Sequence, residues 1–174
     1  MLASRAGTRL DYAKLSRLTG LSRQTVQNYV EVFEKTYLLT RVPVIAKNPD
    51  REIVKAKKLY FTDTGILNHL ADVDSGTQFE NTVFNQLRSR GSVAYYAKKT
   101  GDEIDFILDQ ATALEAKERP LEQDLRVLER RSRVLGITVH RLVGRYSVPH
   151  FSEYIWGGSI RYSPAGNIPR RDPS

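Results

Sequence analysis

Cysteine is absent from this chain, methionine and tryptophan occur once each, and histidine three times. The first absence excludes disulfides, thiol nucleophiles and thiolate metal sites, and is compatible with a reducing compartment. His69, His140 and His150 stand far apart with no His-x-x-x-His pair, so they read as ordinary side chains rather than metal ligands. No apolar run approaches the roughly 18 residues needed to span a bilayer, and the first residues lack the basic-then-apolar order of a signal peptide. A cytoplasmic location is therefore the expectation. No Gly-x-x-x-x-Gly-Lys-Ser/Thr loop occurs, so P-loop nucleotide hydrolysis is not expected of this sequence. Asp63-Thr64-Gly65 is a single triplet, whereas aspartic-protease chemistry needs two carboxylates sharing a proton. It reads instead as the start of a helix.

What is present is a basic charge gathered at one end. The 174 residues carry a net charge of +7, 40% of them are hydrophobic, and their number suffices for one ordinary core or two small ones. Residues 1–60 hold twelve Lys/Arg against five Asp/Glu, which accounts for the whole excess, while residues 61–174 hold fifteen of each. Such an asymmetry implies a polyanion-facing module joined to a neutral one.

Within the basic part, residues 12–39 give two helical patterns broken at Gly20. Leu15, Ser16, Gly20, Leu21, Val26 and Tyr29 fall at helix-turn-helix spacings, with Leu21, Val26 and Tyr29 expected to pack the second helix on the first. Ser22 is a good N-cap. The outward positions then become Arg23, Gln24, Gln27 and Asn28, whose amides and guanidinium suit purine edges in a major groove. Residues 38–45 and 57–61 read as two strands around the turn chemistry of Asn48-Pro49-Asp50. Helix, helix, hairpin is a winged helix. Its wing carries Lys47, Arg51, Lys55, Lys57 and Lys58, suited to phosphate contact. Winged helices also act as protein-protein adaptors, so both uses stay open.

The neutral part contains the chemistry. Asp102-Glu103-Ile104-Asp105-Phe106-Ile107-Leu108-Asp109 is followed, ten residues after Asp105, by Glu115-Ala116-Lys117, the sole Asp/Glu-x-Lys triplet of the chain. This is the residue order of a metal-dependent nuclease core. The first segment alternates Ile104, Phe106 and Leu108 against Glu103 and Asp105. In the second, Leu114 and Ala116 oppose Glu115 and Lys117. Two adjacent strands would bring Asp105 and Glu115 together to share a divalent cation, Mg²⁺ or Mn²⁺, with the Ala116 carbonyl as a third oxygen and Lys117 alongside. Around them, Phe79, Val83, Phe84 and Leu87 mark a helix over 78–90. A strand over 93–98 precedes the two motif strands. Leu121, Leu125, Leu128 and Leu135 mark another helix, and 137–143 a last strand. The expected core is a three-stranded antiparallel meander extended by a strand after a crossover helix. The role of residues 146–162, which include Trp156, is left open between an added strand and a docking arm.

Residues 2–7, 36–43, 58–67, Phe79-Glu80-Asn81, 101–108 and 114–117 together resemble the C-terminal region, a domain of unknown function, of a large prokaryotic family of AAA-type ATP-binding proteins. The resemblance covers most of residues 1–145. It implies an α/β (α+β) fold, with an N-terminal winged helix-turn-helix over 1–62 and a restriction-endonuclease-like (PD-(D/E)XK) core over 63–162, while the Pro-Ala-Gly-Asn and Pro-Arg-Arg-Asp-Pro runs beyond Ser163 read by composition as a disordered tail over 163–174. Carried over position by position, it implies Glu80, Asp105, Glu115 and Lys117 as the catalytic set, with Glu80 joining Asp105 and Glu115 at the metal. The ATPase module usual in that family is missing from this sequence, so an ATPase on another chain is an implied partner beside DNA. Two functions follow as expectations. One is a DNA-binding, nuclease-like DNA-processing protein, and the other a non-catalytic adaptor docking on DNA or on an ATPase.

Overall fold

The structure, a computed structural model, describes residues 1–45, 56–98, 101–158 and 160. Among them lie five α-helices and seven strands in two sheets, a mixed α+β architecture. None of these helices is long and apolar enough to cross a membrane.

Helices α1 (Tyr12–Thr19) and α2 (Arg23–Lys35) are separated by Gly20, whose φ of 71° closes α1 in the left-handed conformation that glycine adopts without a Cβ penalty. As expected, the Ser22 hydroxyl caps α2, accepting the Thr25 N–H at 3.1 Å. The packing residues differ from expectation. Val26 and Val30 are buried and Phe33 packs beside them, whereas Leu21 and Tyr29 are 41% and 52% exposed. Val26, Val30 and Phe33 follow a four-then-three spacing along one helix face, and Tyr29 points about 100° away from Val30. Strands β1 (Leu39–Val42) and β2 (Lys58–Phe61) pair antiparallel, with Leu39 opposite Phe61 and Val42 opposite Lys58. The leading segment runs along β2, through Gly7 N–H to the Leu59 carbonyl at 2.7 Å and Leu10 N–H to the Lys57 carbonyl at 2.9 Å. Lys47, Arg51 and Lys55, with the Asn48-Pro49-Asp50 turn, lie outside the described residues, as does the tail over 163–174.

Helix α3 (Thr64–Leu70) begins at Asp63, whose carboxylate accepts the Ile66 N–H at 2.9 Å, so the Asp-Thr-Gly triplet is a helix cap. Helix α4 (Ser75–Leu87) leads into β3 (Val93–Ala97), β4 (Glu103–Leu108) and β5 (Thr112–Lys117), the expected antiparallel meander. Helix α5 (Glu122–Leu135) crosses over to β6 (Val139–Gly144), parallel to β5. Strand β7 (Tyr154–Trp156) adds a parallel edge, so the segment left open by the sequence supplies a strand. Helix α4 covers one face of the sheet, where Phe84 meets Phe106 and Leu114, and α5 covers the other, where Leu128 meets Ile104 and Ala113.

The β4 alternation is broken. Ala94 faces Ile107 but Tyr96 faces Ile104, leaving Tyr95 opposed by both Asp105 and Phe106. This is a β-bulge. Ile104 consequently joins Ile107 on the α5 side while Phe106 and Leu108 face α4, which corrects the single-faced Ile104, Phe106, Leu108 stripe.

The hairpin and the larger sheet are continuous in their packing. Val42, Val44 and Tyr60 belong to the same buried cluster as Phe84 and Phe106, and Ile45 N–H reaches the Tyr95 carbonyl at 2.7 Å. Asn81 makes a second tie. Fully buried on α4, it accepts Phe61 N–H at 2.8 Å and donates to the Phe61 carbonyl at 3.0 Å and the Thr64 hydroxyl at 3.1 Å. Its amide acts as a strand partner for the edge of β2. Asn81→Leu is expected to lower unfolding free energy by about 1–3 kcal/mol, because the buried Phe61 N–H loses its partner while the Phe61 carbonyl keeps the Asn85 amide at 3.1 Å. Urea denaturation checks this, and a change below ~0.5 kcal/mol would contradict the bridging role.

Candidate functional site

The bulge controls where Asp105 points. Released from the pleat, its carboxylate turns one oxygen to the Ala116 N–H of β5 at 3.1 Å and the other toward the Lys58 ammonium at 3.8 Å. Asp105 thus stands between two charge groups. On one side, Lys58 also meets Glu103 at 2.6 Å and Glu80 at 3.3 Å, and the Tyr60 hydroxyl donates to Glu80 at 2.5 Å. On the other, Glu115 meets Lys117 at 3.1 Å and Arg131 of α5 at 3.8 Å. Arg9 closes the outer edge on Glu103 at 2.7 Å.

The structure therefore brings Asp105, Glu115 and Lys117 together from neighbouring strands. Glu80 is held apart from Glu115 by its own partners, Tyr60 and Lys58. Among the described residues no three Asp, Glu or His side chains converge closely enough to hold an ion by themselves. The carboxylates left for a cation are thus Asp105 and Glu115, on adjoining strands. One observation points to such a group. Glu115 is 7% exposed, and its Oε2 is buried without a hydrogen-bond partner. An oxygen left so is costly unless something else engages it.

The electrostatics follow from this crowding. Burial pushes the Glu115 carboxyl up to about 7, with the Asp105 charge adding to it and Lys117 and Arg131 opposing. Burial also raises Asp105, against the pull of Lys58, and raises Glu80, where Asp105 adds to the effect. Lys58 goes the other way. Burial disfavours its charge, but Glu80, Asp105 and Glu103 together overcome that and hold it above the ordinary lysine range. Strongly shifted, mutually coupled carboxyls of this kind are concentrated at functional sites.

Lys58 requires a correction. Expected on the wing as a phosphate contact, it is 3% exposed and its ammonium lies amid carboxylates. Strand β2 is buried on both faces, with Leu59 and Phe61 in one cluster and Tyr60 in the other, so Lys58 falls inside with Tyr60. Arg131 was likewise missed, because nothing local in the sequence places it beside this site, and Glu103, two residues from Asp105, was not recognised as a partner of Lys58.

The other expected DNA contacts lie elsewhere. Arg23, Gln24 and Asn28 are exposed on α2, Gln27 is half-buried, and the Gln24 amide donates to Asn28 at 2.9 Å. Arg23, Gln27 and exposed Lys57 line a cleft of about 520 Å³ that also takes in Arg9 and Arg41. Arg41 is already paired, through two guanidinium bonds to Glu34 and one to the Tyr12 hydroxyl.

Comparison with known proteins gives a family description without a function. Residues 1–77 match the model of a family described as a domain of unknown function, DUF8612. Over 96 residues the chain is 31% identical to the uncharacterized protein MJ1544 of Methanocaldococcus jannaschii, an alignment covering 52% of this chain and 21% of the relative. The match thus takes in about a fifth of that longer protein. Neither description carries an activity or mentions an ATP-binding protein. No solved structure matches.

Proposed function

We propose that the chain is a DNA-binding, nuclease-like protein that acts on phosphodiester bonds with Mg²⁺ or Mn²⁺. In this reading the first sixty residues are a winged helix that holds the duplex, and the remainder is a core of the PD-(D/E)XK type. The supporting observation is the meeting of Asp105, Glu115 and Lys117 on adjoining strands around a buried, unpartnered Glu115 oxygen. Asp105, Glu115 and the Ala116 carbonyl would hold the cation. When bound, it would neutralise phosphate charge and acidify a water. Lys117, whose side chain is 37% exposed, can donate to a phosphate oxygen or orient that water while Glu115 fixes its position. Arg23, Gln27 and Lys57 would take the DNA backbone in the neighbouring basic cleft.

A second reading draws on Lys58. An ammonium built in among Glu80, Glu103 and Asp105 neutralises part of the acidic cluster without any added ion. That suits a non-catalytic adaptor, and the resemblance to the C-terminal region of AAA-type ATP-binding proteins would then make a separate ATPase its partner.

Plasmid and oligonucleotide cleavage with Mg²⁺ and Mn²⁺ separates the two. Nicking by the native chain is expected, falling at least ~100-fold in Asp105→Asn and Lys117→Ala while DNA binding is kept. Intact, salt-sensitive DNA binding with no cleavage of any substrate would favour the adaptor.

A further inference from the structure

A second cavity, of about 420 Å³, opens between α3, α4 and the end of β7 and shares no lining residue with the basic cleft. That volume lies within the range of about 300–1,000 Å³ typical of small-molecule sites. Its walls combine Trp156 and Tyr146, 48% and 45% exposed, with Asn68, Gln78 and Arg145. Two large aromatic side chains left half open beside amides and a guanidinium are not a packing requirement of the sheet.

The platform is built rigidly. Gly157 N–H donates to the Gly144 carbonyl at 2.8 Å, and Gln86 donates to the Gly157 carbonyl at 2.6 Å, which fixes the turn directly after Trp156. A Cβ on Gly158 would fall inside the Trp156 indole, so the missing side chain is what allows the ring to lie back over the turn. Arg145 lines the cavity with Tyr146, and Arg119, outside the lining, flanks the same ring. The guanidinium carbons of Arg145 and Arg119 lie 5.2 and 5.9 Å from the centre of the Tyr146 ring. Arg145 is shared with Glu118 at 3.0 Å, whereas exposed Arg119 has no carboxylate partner among the described residues. The Asn68 amide is exposed at the rim.

The cavity is also close in the fold to the motif strand. Arg145 N–H donates to the Lys117 carbonyl at 3.1 Å and Tyr146 N–H to the Glu118 carbonyl at 2.9 Å. Lys117 is therefore one backbone hydrogen bond from Arg145, which lines the cavity.

We infer that this cavity binds an unpaired nucleobase of a single-stranded nucleic acid, stacked on Trp156, with its phosphate toward Arg119 and Tyr146. Stacking on an exposed indole tolerates any base, and the two arginines at the Tyr146 ring favour an anionic strand over a neutral sugar. The exposed Asn68 amide can meet a base edge, while the Gln78 side-chain N–H already donates to the Val73 carbonyl at 2.9 Å. The inference rests on the nucleic-acid reading above and narrows it, to a substrate with a frayed end, a flap or an unpaired stretch next to the cleavage centre.

Trp156 is the sole tryptophan, so it reports directly. The full chain is titrated with dT12 in EDTA, which keeps cleavage out of the measurement. Saturable quenching of tryptophan emission is expected. Anisotropy of labelled dT12 should show Trp156→Leu and Arg119→Ala each weakening binding by about 5- to 100-fold. Affinity for blunt duplex should be little changed, with circular dichroism as the check on folding. Comparable quenching by thymidine monophosphate at equal concentration would assign the site to a free nucleotide rather than a strand, and would overturn the single-strand inference. So would quenching by a neutral oligosaccharide alone, unchanged dT12 affinity in both variants, or no binding of dT12. Because the readout needs no turnover, quenching without cleavage would leave this inference standing while the nuclease reading failed.

Discussion

Lys58→Met is expected to destabilise the chain by about 3–5 kcal/mol, the cost of removing one member of a buried charge group while the others stay. Lys58 is 3% exposed and sits within 2.6 Å of Glu103, 3.3 Å of Glu80 and 3.8 Å of Asp105. Methionine matches its length and buries well, so packing is conserved and the loss isolates the charge. Glu103 retains Arg9 and stands partly in solvent, and it recovers most easily. Glu80 and Asp105 recover least, since burial already raises both and Lys58 is the opposing charge they share. The double change Lys58→Met with Glu80→Gln should therefore restore roughly 1–2 kcal/mol through coupling of neighbouring sites. Urea unfolding at pH 7 supplies all four corners of the cycle. A loss under ~1 kcal/mol in the single variant, or strict additivity in the double, would show that the carboxylates do not depend on this ammonium.

Why Lys58 escaped a reading of the sequence is physical. Lys57-Lys58 follows a basic stretch, and charge runs are usually solvated, so the local pattern favoured two exposed lysines. Only the partner strands decide otherwise. Glu80, Glu103 and Asp105 come from α4 and β4, twenty-two to forty-seven positions away along the chain. The strand pair bearing Asp105 and Glu115 was legible because both segments carry their own alternation and a short connection sets their pairing. The bulge was not, since one extra residue in β4 is a property of the β3 pairing and leaves no mark in β4 itself. Yet the bulge is what lets Asp105 address Lys58 and the Ala116 N–H together. The two helices and their caps at Gly20 and Ser22 were legible for the opposite reason, because a cap is satisfied within four residues. Leu21 and Tyr29 misled, as apolar character alone does not say which face a helix buries. Strand β7 has only three residues, and its pairing to β6 depends on the connection over 145–153, which carries no periodic pattern.

The stability of the native chain is expected to fall as pH rises from about 4.5 to 7, and Glu115→Gln is expected to remove much of that fall. In the folded chain burial, aided by the Asp105 charge, lifts the Glu115 carboxyl from the ordinary 4.5 to about 7. Below the lower value both folded and unfolded chains hold the proton, and the contribution of the neutral carboxyl is fully present. Between the two values the unfolded chain releases its proton while the folded one keeps it, so each pH unit costs about 1.4 kcal/mol. Above 7 both have released it and the slope vanishes. Across the window the loss is on the order of 3 kcal/mol. Asp105 and Glu80, also raised, act in the same direction, whereas Glu103, held below its ordinary value by Lys58 and Arg9 in spite of burial, loses its contribution only as pH falls further. Glutamine keeps the shape of the neutral acid without its titration. Its urea midpoint should exceed the native one at pH 8 and match it near pH 5. Divalent cation gives the same experiment a second use. An ion that binds the ionised Asp105 and Glu115 stabilises only the folded chain, so Mg²⁺ or Mn²⁺ at pH 8 should recover part of the native loss and none in Glu115→Gln. Recovery in both chains would place the ion elsewhere, and a native profile flat from pH 5 to 8 would mean that Glu115 is ionised in the folded chain throughout.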